Sequence, residues 1–151
     1  MARISAVCST IKSTIEALDV SSYTAGFPVS TAKEAVSGDL LEPGLASKHL
    51  SFIVEPSTTT PINRARSGCE CSTPINVIGL FLLRPGYGNG GKPVDSRLAR
   101  DFGEDVAAAL MELDGTNWTL TLDAIDLDGP DAEGSAMRVQ VALTCIHRLG
   151  G

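Results

Sequence analysis

Two histidines are all the chain has, His49 and His147, and neither stands in an HExxH pattern. No serine lies in a nucleophile-elbow context, and no Cys–His pair carries a recognisable catalytic signature. The four cysteines, Cys8, Cys69, Cys71 and Cys145, are too scattered for a secreted disulfide framework or for paired CxxC knuckles. Reduced thiols are the expectation. Positive charge is also short, with 12 Lys and Arg against 18 Asp and Glu and a formal net charge of −6. Gripping nucleic acid requires clustered cations that release counterions from phosphate, so a general nucleic-acid binder is excluded. No apolar run approaches the roughly 20 residues needed to cross a bilayer. The first 18 residues carry Arg3, Lys12 and Glu16 among spaced apolar positions, unlike the unbroken core of a signal peptide. A cytoplasmic site of synthesis and no membrane partner follow as expectations.

What is present is a chain of 151 residues, enough for one domain with its own core and too short for two comfortable ones. A single domain over 1–151 is expected. Ile4, Val7, Ile11, Ile15 and Leu18 fall on one helical stripe, which predicts an amphipathic helix. Residues 20–47 hold Gly26, Pro28, Gly38, Pro43 and Gly44 and read as a long connection, with a short helical turn at 32–36. Residues 48–55 alternate, Leu50, Phe52 and Val54 against Ser51, Ile53 and Glu55, which predicts a half-buried strand. Residues 56–73, rich in Ser, Thr, Pro and Gly and holding Arg64 and Arg66, read as a second long loop.

A strand over 74–84 is apolar on both faces, with Ile75, Val77 and Phe81 on one and Ile78, Leu80 and Leu82 on the other. It belongs in the middle of a sheet or beneath a neighbouring subunit. Asp95 or Ser96 then caps a helix that sets Leu98, Phe102, Val106, Leu110 and Leu113 on one side. Residues 118–127 alternate and shift phase near Ile125, predicting a bulge or twist. An acidic turn over 128–135 leads to a last strand with Met137, Val139, Val141, Leu143 and Cys145 inward. The expected fold is α+β: a mixed or antiparallel sheet of about four main strands with two helices on one face, in the order α-β-β-α-β-β.

Three patterns invite a chemical reading. The Gly-rich turn over 86–92, from Gly86 to Lys92, contains GxGxxG and nearly a P-loop between a strand and a helix. The residue after the lysine is Pro93, which has neither the magnesium-binding hydroxyl nor an amide donor, and Asp95 would repel phosphate. A flexible surface turn is preferred, and a small nucleotide-binding module is the alternative of another class. Asp126, Asp128, Asp131 and Glu133 surround Gly129 and Pro130 without the spacing of an EF-hand, so a solvated turn is preferred to a calcium site. Cys69, Glu70 and Cys71 are too tight for a zinc knuckle unless His49, His147, Cys8 or Cys145 joins them in the fold. No cofactor is expected.

The order of these elements resembles the tail-terminator family of long-tailed bacteriophages and the related tail-completion and neck proteins. The helix over 2–18, the strands over 48–55 and 74–83, the helix over 96–113 and the closing strands over 118–127 and 136–149 carry the likeness. It covers most of the chain and rests on element order and length, not on a motif. The resemblance implies a non-enzymatic virion protein, assembled in the host cytoplasm and located in the tail or neck. It would form a ring, commonly of six copies, on the last ring of tail-tube protein, stopping tube growth and facing the head-completion or connector protein. A head-completion or head–tail connector protein is the nearest alternative. The expected contact residues are Arg64 and Arg66, in a loop reaching a neighbouring ring, and Asp126, Asp128, Asp131 and Glu133, in an acidic surface past which DNA slides without sticking.

Overall fold

A computed structural model describes residues 3–20, 33–34, 50–65, 68–82, 96–113, 115, 117–128 and 136–149. Within them the first element is the helix α1, Ile4–Glu16, and its apolar stripe does what its spacing implies: Val7, Ile11 and Ile15 are buried. No side chain caps its start, where the amides of Ala6 and Val7 both reach the Arg3 carbonyl. Burial therefore holds this helix in place, at about 1.5–3 kcal/mol for each fully buried aliphatic side chain.

Six strands follow: β1 (Lys33–Glu34), β2 (Leu50–Pro56), β3 (Thr60–Ala65), β4 (Gly68–Leu82), β5 (Trp118–Asp128) and β6 (Ala136–Leu149), with the helix α2 (Ser96–Met111) between β4 and β5. They form one sheet in the order β1-β2-β4-β6-β5, and β3 pairs with β4. Among the described residues only the β1–β2 pairing is parallel. The fold is α+β, as the periodicities imply, with β4 in the middle as its two apolar faces require.

Both helices and one face of the sheet share a single core. Val7 and Ile11 of α1, Phe102 and Val106 of α2, Phe52 of β2, Ile75 and Val77 of β4, and Val139, Val141 and Leu143 of β6 belong to it. α1 lies against β2 and β1, and α2 lies against β5 and β6. Gly103 lets α2 approach the sheet, since a Cβ there would stand 2.7 Å from Cγ1 of Val139 and 3.1 Å from Cγ2 of Ile125. β4 and β6 stay in register from Cys69 opposite Leu149 to Leu82 opposite Ala136. The phase change anticipated in β5 is a register shift between Leu122 and Ala124, placing the bulge at Asp123.

Two expectations are corrected. The described part of residues 56–73 is mostly strand: β2 runs to Pro56, β3 occupies Thr60–Ala65, and β4 begins at Gly68 instead of Pro74. Pro74 had marked the start of the strand because it has no N–H for the ladder. Its carbonyl accepts from the Ser57 amide, so its backbone polar groups point toward the junction where β2 gives way to β3. No bond to β6 is lost there. The helical turn at 32–36 is also replaced, because Lys33 and Glu34 pair in parallel with Ser51 and Phe52. Such short segments follow their tertiary neighbours over their own propensity.

The Gly-rich turn over 86–92, Arg66, Asp131, Glu133 and most of the 20–47 connection lie outside the described residues. Among the described residues no helix is long and apolar enough to cross a membrane.

Candidate functional site

At the Cys69–Ser72 end of β4, beyond its pairing with β2, β3 takes the place of β2 beside it. There β3 packs on β4 and makes no comparable contact with either helix. Pro61, Cys71, His147 and Trp118 stand in one row across β3, β4, β6 and β5. Register, and not sequence proximity, brings these residues together.

His147 of this row starts a polar relay that runs from the buried Thr73 to the exposed Thr59. His147 is only 2% exposed, and its Nε2 lies 2.8 Å from the Thr73 hydroxyl, which shares a hydrogen bond of 2.7 Å with the hydroxyl of Thr59. A buried imidazole nitrogen without a partner would cost about 1–3 kcal/mol, so the relay lets the histidine sit inside the sheet end. The Sγ atoms of Cys69 and Cys71 are 3.7 Å apart, and Cys71 is the register partner of His147. Burial, and then the hydrogen bond to Cys69, pushes the Cys71 thiol up. A thiol held protonated is a poor nucleophile and a poor metal ligand. Cys145 is the register partner of Thr73 on the core face of β6 and Cys8 lies on α1, yet among the described residues no group of three His, Cys, Asp or Glu is placed to hold a metal.

The residues expected to make contacts separate into two places. Arg64 is exposed on β3, opposite Cys69. Asp126 and Asp128 are exposed on β5, opposite Gln140 and Arg138, at the other margin of the sheet. Arg64 and the two carboxylates therefore do not form one cluster. Asp126 and Asp128 alternate with Ile125 and Leu127, which pack against the core, so the carboxylates lie on the face away from the helices. That face is laced by polar pairs: the Gln140 amide donates to Asn76 Oδ1 at 3.1 Å and the Thr144 hydroxyl donates to Asp123 Oδ2 at 2.6 Å.

Four large apolar residues, Ile62, Met111, Leu122 and Leu149, are exposed among the described residues. Ile62, 54% exposed, sits at the register shift of β3 between Pro61 and Asn63. Leu122, 37% exposed, is on the core side of β5, where alternation implies burial. How far α2 covers β5 is a tertiary outcome, and nothing in the alternation reports it. A groove of about 740 Å³ between α1 and α2 is lined by Ser9, Thr10, Ser13, Thr14 and Glu112 among others. The hydroxyls of Ser9, Thr10 and Thr14 are spent on carbonyls one turn earlier, so they are not aimed at a ligand.

Neither protein-family models nor curated proteins give a match to this chain. The reading of its surface rests on geometry and charge.

Proposed function

We propose that the chain is a structural, non-catalytic protein of a bacteriophage tail end, which caps the tail tube as a ring, commonly of six copies, and forms the joint to the head or neck. The observation that carries this reading is the exposed aliphatic surface on the strands, Ile62 of β3, Leu122 of β5 and Leu149 at the end of β6. Such surface is suited to association. The element order and the acidic net charge agree with a ring through which DNA passes without being gripped.

Within this reading the hairpin of β3 and β4, with Arg64, and the acidic stretch of β5, with Asp126 and Asp128, are contact surfaces. The test is co-sedimentation of the chain with headless tails of the phage that encodes it. Saturable binding at one end of each tail is expected. Binding to heads and not to tails would instead make it a head-completion or connector protein, and binding to neither would overturn the proposal.

A further inference from the structure

Residues two apart on a strand point to the same face, so the run Cys69, Glu70, Cys71 of β4 puts both thiols on one side of the sheet. Their sulfurs are in contact at 3.7 Å, with the Cys71 thiol donating to Cys69 Sγ. Both are free thiols, and they differ in access: Cys71 is 2% exposed, whereas Cys69 is half-buried. Cys69 is the second residue of β4 and follows Gly68, whose φ of 131° suits glycine alone. It stands where the strand begins, and a strand end shifts at lower cost than the middle of a ladder.

Two thiols placed in this way can close into a disulfide. Their Cα atoms, two strand steps apart, are separated by about 6.4–6.8 Å. That is the upper end of the span a disulfide bridges, and the sulfurs must approach to about 2.05 Å. Such a bond closes with strain, and strained disulfides are the readily reduced ones. The pair is therefore suited to reversible exchange and not to a permanent link. Cys145, 0% exposed in the core, offers a reagent no such access.

We infer that Cys69 and Cys71 form a redox-active dithiol, a modification site whose co-substrate is a small soluble disulfide of the glutathione class. Cys69, the sulfur that solvent reaches, attacks one sulfur of the small disulfide as the thiolate. The small S–S bond breaks, a mixed disulfide forms on Cys69, and the first small thiolate leaves and takes up the proton that Cys69 gave to solvent. Cys71 then attacks Cys69 Sγ and displaces the second small thiolate, which takes up the Cys71 proton. Two protein thiols are thereby oxidised by two electrons to one disulfide, and one small disulfide is reduced to two thiols. Burial holds the Cys71 thiol protonated, so it acts second, where contact with its target offsets its low reactivity.

The test incubates the reduced full-length chain with oxidised glutathione, alkylates it in denaturant and maps the thiols by mass spectrometry. Glu70 lies between the two cysteines, so a glutamate-specific protease separates them in sequence. Wild type is expected to lose the mass of two hydrogen atoms, to keep Cys8 and Cys145 open to alkylation, and to yield the Cys69 and Cys71 peptides joined until a reductant is added. Cys71→Ser should retain one glutathione on Cys69. Cys69→Ser should react at Cys71 at least about tenfold more slowly than wild type loses its thiols. Circular dichroism checks that both variants are folded. A wild-type chain that keeps all four thiols, a disulfide between chains or through Cys8 or Cys145, a Cys71→Ser chain free of glutathione, or a Cys69→Ser chain that reacts as fast as wild type would overturn the inference.

Discussion

Replacing Phe52 with alanine is expected to lower the stability of the fold by about 3–5 kcal/mol, the range for truncating a buried phenylalanine. Phe52 is 0% exposed, on the face of β2 that meets the helices. Its register partner on β4 is Gly79, and the Phe102 ring comes within 3.3 Å of where a Cβ on that glycine would stand. A glycine has no side chain with which to fill the space left by a lost ring, so the cavity relaxes little. The cost should fall in the upper part of the range, a large fraction of the 5–15 kcal/mol that typically separates folded from unfolded protein. Urea denaturation measures it. A loss under about 1 kcal/mol would mean that β2 does not close the core as described.

Alkaline pH should act through Cys145. This residue is 0% exposed on the core face of β6, and burial, with Cys8 adding to it, pushes its thiol up to about 11 from the usual 9.0. Cys8 shifts the same way, through burial first and the Glu34 carboxylate second. Where the folded chain holds the Cys145 proton and the unfolded chain does not, each rise in pH favours unfolding. The stabilisation is therefore complete below the unfolded value near 9.0 and is lost as pH climbs toward about 11. Its size is roughly 2–3 kcal/mol. Unfolding free energies measured across that window should fall more steeply for wild type than for Cys145→Ala. Parallel curves would show that the thiol is not held protonated by burial.

The parts of the fold that the sequence makes legible are those in which periodicity reports a buried face. The stripe of Val7, Ile11 and Ile15 marks α1, the two apolar faces around Ile78 mark β4 as internal, and the broken alternation near Ile125 marks the bulge at Asp123. β3 was not legible because Thr60, Pro61, Asn63 and Arg64 are all exposed and carry no apolar alternation. What makes it a strand is the backbone ladder offered by the lengthened β4, a partner found only in the folded chain. β1 depends on β2 in the same way.

The surface divides along similar lines. Arg64, Asp126 and Asp128 are recognisable from charge alone, yet their placement on opposite margins comes from the strand order, which places β5 last while β3 follows β2 along β4. The pairing of Thr73 with His147 joins residues 74 positions apart and follows from the β4–β6 register. Cys69 and Cys71 are spaced too tightly to form a zinc knuckle by themselves. The fold instead gives their neighbour His147 a hydroxyl partner and keeps the Cys71 thiol protonated by burial.

The most direct measurement of the central proposal is the length distribution of tails made with and without this chain. A protein that caps the tube stops its growth, so electron micrographs of tails assembled in its absence should show tubes running past the normal length without a terminal ring. Adding the purified chain during assembly should restore uniform, capped tails. Uniform, capped tails formed in its complete absence would contradict the account.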